Sequence, residues 1–203
     1  MRQIMWARWF EVAVEQELKA LEAFTLMLQG EQQSITDEFR ASLLSLTASA
    51  YTIEALSGDI KYLILPQQPM NKRYQTLSQV FRLAFGMEER DFLEFASEMR
   101  WLFERRDMAV HPYTEAVFPK RHPAGFNTGA EHADFNALTS GRAVDVAMRV
   151  LDAAVTPSKA HHHWIERWSK MRAPYTANVV RPLKSQRYEA RLRVQNDLKS
   201  GES

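Results

Sequence analysis

Residues 39–64, FRASLLSLTASAYTIEALSGDIKYLI, decide how this chain folds. Phe39, Leu43, Leu46, Ala50, Ile53, Leu56, Ile60 and Leu63 recur at alternating intervals of three and four, which lays one apolar stripe along a helix. Thr36 and Asp37 are both suited to cap its start, and Leu65-Pro66 with Pro69 closes it, since proline disfavours helical geometry at the preceding residue. Four further segments keep the same period. Upstream, Trp6, Trp9, Phe10, Ala13, Val14, Leu18, Leu21, Phe24 and Leu28 form one stripe; downstream, Tyr74, Leu77, Val80, Phe81 and Phe85 form a shorter one that stops at Gly86. A fourth helix is predicted over about 88–109, with Phe92, Phe95, Met99, Leu102 and Phe103 on its stripe, and a fifth from Thr139-Ser140, carrying Ala143, Ala147, Val150, Leu151 and Ala154. No alternating run of strand length competes with these. The pattern predicts an all-α, up-and-down helical bundle of about five main helices.

Composition agrees. The 203 residues suit one domain with a possible appendage, and only 7 Gly and 8 Pro interrupt them. The absence of cysteine excludes a disulfide scaffold, a thiolate zinc site and a cysteine nucleophile, and fits a reducing compartment. No apolar run reaches the 18 or so residues a membrane span needs. Glu11, Glu15 and Glu17 stand where a signal peptide requires an apolar core, so the expected location is the cytoplasm. Charge is unevenly spread: from Arg167 onward nine Lys/Arg face three Asp/Glu, a net of +6, which leaves −5 on the preceding 166 residues. The chain therefore divides into a bundle over 1–172 and a basic C-terminal tail over 173–203. Arg181, Lys184, Arg187, Arg191, Arg193 and Lys199 of that tail, with Tyr188 among them, could track a phosphate backbone; a solvated helix or disorder is the simpler reading.

Chemistry concentrates at the end of the fourth helix, in Arg105-Arg106-Asp107-Met108-Ala109-Val110-His111-Pro112-Tyr113. The stripe 92-95-99-102-103 continues inward at 106, where a guanidinium is costly unless an anion meets it. Arg105 falls on the flank beside Trp101, facing water. Pro112 should end the helix near Ala109–Val110 and let His111 swing back towards Arg106. A permanent cation beside a group titrating near neutrality suits phosphodiester cleavage by an internal nucleophile. The histidine takes the 2′-hydroxyl proton, and the arginine holds the charge building on the phosphoryl oxygens, without a metal. One copy lacks an acid for the leaving 5′-oxygen; a two-fold dimer supplies it.

These residues resemble the HEPN superfamily, the higher eukaryote and prokaryote nucleotide-binding domains, whose signature is an Arg followed after four to six residues by a His, often with a polar residue directly after the Arg. Arg106-Asp107-Met108-Ala109-Val110-His111 has that form. ASAYTIEALSGDIKYLI looks like the family's second long helix and AVDVAMRVLDAAV like its last, so the resemblance spans roughly 39–155. It implies a helical bundle that dimerises through the motif face and, in many members, metal-independent endoribonuclease activity, with Arg106, His111 and Asp107 as the catalytic group. It is closest to the Arg-x4-His-x-Tyr variant found in toxins of toxin–antitoxin pairs, whose Tyr, here Tyr113, is nucleotidylated by a partner nucleotidyltransferase antitoxin. Two departures stand out: this chain is longer than such toxins, and an insertion at 112–138 separates motif from last helix. The expected partners are a second copy of the chain and RNA or nucleotide, with Arg105, Arg181, Lys184 and Arg187 as further nucleic-acid contacts and no membrane. No cofactor or metal is expected.

A non-catalytic dimerisation or partner-binding module with a structural Arg–His pair is the rival reading, and a small-ligand sensor, which would need an apolar pocket near the motif, is a third. His161-His162-His163 cannot converge on one ion from a helix, because successive residues fan out by about 100°. His122, His132 and Asp134 share the insertion, whose HPAGFNTG segment reads as a lid or dimer contact.

Overall fold

The computed structural model describes residues 4–31, 33–64, 73–110, 118–155 and 163–200. Among them the chain is an all-α bundle with one minimal hairpin. The order is α1 (Met5–Leu28), α2 (Ser34–Ile64), α3 (Arg73–Phe85), α4 (Glu89–Val110), β1 (Lys120–Arg121), β2 (Asn127–Thr128), α5 (Ala130–Asp134), α6 (Ala137–Val155), α7 (His163–Tyr175), a π turn (Thr176–Val180) and α8 (Arg181–Ser200).

The five helices expected from periodicity are present. α2 is the central one: it pairs along its length with α1 and also packs on α6, α3 and α4. Small residues allow this. Ser42, Ser45, Ser49 and Thr52 are buried, and the Ser45 hydroxyl donates across to the Ala13 carbonyl at 2.7 Å, so the α1 and α2 backbones approach closely. The α1–α2 turn is set by Gly30 at φ +97°, with the Gly30 N–H on the Met27 carbonyl and the Glu31 N–H on that of Leu26. That left-handed residue, with the paired bonds back into the last turn, closes α1. Gly86, φ +62°, ends α3 in the same way, as its position after Phe85 predicts. The main core joins Trp6, Phe10, Ile53, Phe81, Met99, Leu102 and Leu151 with the buried faces of α7 and the π turn.

Three expectations are corrected. Where it is described, over 118–136, the insertion carries structure of its own: β1 and β2 pair antiparallel, α5 follows, and Asn136 caps α6 by accepting from the N–H groups of Leu138 and Thr139. That cap starts α6 at Ala137, ahead of Thr139-Ser140. Residues 173–200 do not trail free in solvent. They are helical through Ser200, α8 packs along α1, and Val194 enters a second core with Ala20, Leu21 and Phe24. Pro174 and Pro182 bracket the π turn; each lacks an N–H for the preceding turn, and the wider turn falls between them. Finally, Arg105 does not face water freely; it leans against the insertion.

Candidate functional site at the end of the fourth helix

Arg106 lies where the α4 stripe puts it, buried at 7% exposure in line with Phe95, Met99, Leu102 and Phe103. Its guanidinium carbon sits 5.5 Å from the Phe103 ring centroid, and Nη2 lies 3.0 Å from an oxygen of the exposed Asp107 and 3.8 Å from Glu54 of α2. Its Nε is buried without a hydrogen-bond partner among the described residues. Two carboxylates thus stand near the cation, yet its donors are incompletely used. His111 and Tyr113, which complete the motif, lie outside the described residues, as do His161 and His162.

Arg105 points to the insertion, with Nη1 3.5 Å from Asp134 Oδ1, while Lys120 of β1 donates to the other oxygen of the same carboxylate at 2.7 Å. The three polar residues of the insertion go separate ways. His132 packs on Phe39, ring centroids 4.7 Å apart, and His122 is fully buried with its Nε2 2.9 Å from Glu38 Oε2. The Ala124 N–H donates to His122 Nδ1 at 3.1 Å, while His122 Nε2 and Glu38 Oε2, although close, make no hydrogen bond among the described residues. The other Glu38 oxygen accepts the Ala137 N–H at 2.8 Å. The HPAGFNTG segment is therefore pinned to α2 and to the start of α6. No three His, Asp or Glu side chains gather as a metal site requires among the described residues.

The basic residues of α8 divide. Arg187 is buried, with Nε donating to Glu17 Oε2, Nη1 to Asp145 Oδ1 at 2.6 Å and Nη2 to the Gly141 carbonyl at 2.6 Å. Arg191 donates to the other oxygens of Glu17 and Asp145, at 2.9 and 3.1 Å, and Lys184 reaches Asp152 at 2.6 Å. Burial alone would raise the Asp145 pKa, but hydrogen bonds and charge from Arg187 and Arg191 outweigh it and hold the carboxyl below its ordinary range. Burial likewise opposes the charge on Arg187, and Asp145 with Glu17 overcomes it, so its pKa is raised. Of the α8 residues expected to contact nucleic acid, Arg187 is spent inside the protein, Lys184 pairs at the surface and Arg181 is exposed.

Sequence reasoning missed this cluster, although a signal was present. Glu17 falls on the α1 stripe at the three-four step between Val14 and Leu21, and Arg187, Arg191 and Val194 repeat that spacing on α8. Glu38, Glu54 and Asp145 gave no comparable signal. Three clefts, of about 600 Å³ between α6 and α8, about 370 Å³ between α1 and α8 and about 350 Å³ beside Phe85 and Arg149, are lined by neither Arg105 nor Arg106, which removes them as the pocket a ligand sensor would need at the motif.

What fold and site define is a class, an all-α bundle with an inward arginine at the end of α4 and an insertion docked beside it. No protein-family model, no curated protein and no solved structure matches this chain. Among the described residues, no helix is long and apolar enough to cross a membrane.

Proposed function

We propose that the chain is a HEPN-like, metal-independent endoribonuclease of a toxin–antitoxin or defence type that works as a homodimer in the cytoplasm, with Arg106 and His111 at the cleft between two copies. The supporting observation is the inward register of Arg106: a buried guanidinium with an unused Nε, on the residue five before His111 in the sequence. In this reading His111 of one copy removes the proton of the RNA 2′-hydroxyl, the 2′-oxygen bonds to phosphorus, and the bond to the 5′-oxygen breaks. His111 of the second copy delivers a proton to the leaving oxygen. Arg106 stabilises the charge on the non-bridging oxygens, and Asp107, 3.0 Å away, orients it. Tyr113 is then the residue a nucleotidyltransferase would modify, and an adenylate mass on the co-expressed protein tests that separately.

The test is incubation with a mixed RNA pool in EDTA, wild type against His111→Ala. Cleavage by the wild type alone, leaving 2′,3′-cyclic phosphate ends, is the expected result. The rival module draws on one specific observation, the carboxylates of Asp107 and Glu54 beside Arg106, which partly neutralise it from within the chain. Absence of cleavage by a wild type that sediments as a dimer would favour that module.

A further inference from the structure

The Asp134 carboxylate is stretched between two cations and satisfies only one. Its Oδ2 is 2.7 Å from Lys120 Nζ, a charge-assisted hydrogen bond, whereas its Oδ1 stops 3.5 Å short of Arg105 Nη1, which is buried and makes no hydrogen bond among the described residues. Two positive charges thus meet one negative. Exposure is divided unevenly: the Lys120 side chain is 49% exposed and that of Arg105 28%, against 13% for Asp134, so Lys120 opens to solvent, Arg105 is partly covered and the anion between them is tucked in. Arg105 sits one residue from Arg106, on the adjoining face of α4. Lys120 and Asp134 come from the two ends of the insertion, which other contacts already hold, through His122 with Glu38 and Asn136 at the start of α6.

We infer that Arg105 and Lys120 form a phosphate subsite masked by Asp134, and that the insertion brings this subsite to the motif face to hold a backbone phosphate of a single-stranded nucleic acid. A phosphodiester presents two non-bridging oxygens and a full charge, which suits a lysine and a planar guanidinium set one at each oxygen of a single carboxylate. Asp134 limits that affinity by occupying the place, so the chain binds nucleic acid below the strength its cations permit. The inference rests on the ribonuclease reading only for the identity of the anion.

The decisive probe is a labelled single-stranded 2′-O-methyl RNA, which has no free 2′-hydroxyl and so cannot be cleaved by the proposed mechanism; binding is followed by anisotropy across a salt series. Asp134→Asn should bind several-fold tighter than wild type at low salt, with the slope of log affinity against log salt steeper by about 0.7, the increment for one further phosphate neutralised. Adding Arg105→Gln and Lys120→Gln to that variant should return affinity and slope to the wild-type values or below. Equal affinity and slope in wild type and Asp134→Asn would overturn the inference, as would a gain that survives loss of both cations. A gain accompanied by faster hydrogen exchange across 118–136 would also overturn it, since that would report release of the insertion rather than unmasking. Asp134→Ser repeats the comparison if the Asn variant does not fold. A wild type that cleaves no RNA while Asp134→Asn still gains binding would count against the ribonuclease alone; cleavage without such a gain would count against the subsite alone.

Discussion

Gly141 shows how closely single residues are set. A Cβ built there would overlap Arg191 Nη2 and lie 3.2 Å from Glu17 Oε1, so even alanine would force Arg191 off Glu17 and Asp145. Alanine in a helix interior otherwise gains about 1 kcal/mol over glycine. Here the lost ion pairs should outweigh that gain, and Gly141→Ala should lower the urea midpoint by an amount equivalent to about 1 kcal/mol. In an Arg191→Ala background the clash with the guanidinium is gone, and the same substitution should become neutral or stabilising; a double-mutant cycle in urea measures the coupling. Asp145 adds a pH term whose sign follows from its lowered pKa. A carboxyl depressed in the folded state contributes stability that is present above its unfolded value, about 3.9, and disappears as pH falls through the folded one. Stability should therefore drop with acid below about pH 4, and Asp145→Asn should flatten that part of a melting-temperature profile.

At the scale of elements, the insertion depends on one side chain. His122 stacks on Phe126 with centroids 5.0 Å apart, accepts from the Ala124 N–H and faces Glu38, so it ties the β1–β2 hairpin to α2. In His122→Phe the stacking can persist, but the Ala124 N–H loses its acceptor. Leaving that group unsatisfied costs about 1–3 kcal/mol. The expected readout is local: amide exchange should accelerate over 118–136 while the α1–α2 pair stays protected. Equal protection throughout would show that the hairpin holds without its histidine. The elements also explain what the sequence discloses. α1, α2, α3, α4 and α6 are legible because each keeps an apolar period over at least three turns, and the same stripe carries Arg106 inward. The hairpin is not legible, since two-residue strands and a five-residue helix contain no period to read. Glu54, which flanks Arg106, escapes for another reason: it is a polar residue brought near α4 by tertiary packing, with no local pattern that announces it.

Across the whole molecule, the uneven charge finds its meaning in packing rather than in a free basic surface. The net +6 carried from Arg167 onward is spent largely on the acidic body: Arg187 and Arg191 on Glu17 and Asp145, Lys184 on Asp152, and Arg172 near Asp59 at 3.7 Å. The sharpest consequence concerns Glu17, which is fully buried on α1 and meets cations only from α8 among the described residues. A chain ending at Val180 would strip that carboxylate of both its cations, and breaking a buried pair from one side costs about 3–5 kcal/mol. Against a total stability of about 5–15 kcal/mol, with Val194 also withdrawn from the second core, the truncated protein should lose cooperative unfolding. Charge and packing can then be separated. Glu17→Met in the truncated chain removes the uncompensated carboxylate but restores no contact to Val194, so it should recover a measurable part of the cooperative transition. The same substitution in the full chain strands Arg187 and Arg191 beside Asp145 alone and should destabilise it. Opposite signs for one substitution in the two chains would establish that α8 is held by the ion pairs it brings to α1. A truncated chain that melts like the intact one would mean that Glu17 finds water or another cation, and that α8 rests on the bundle without locking it.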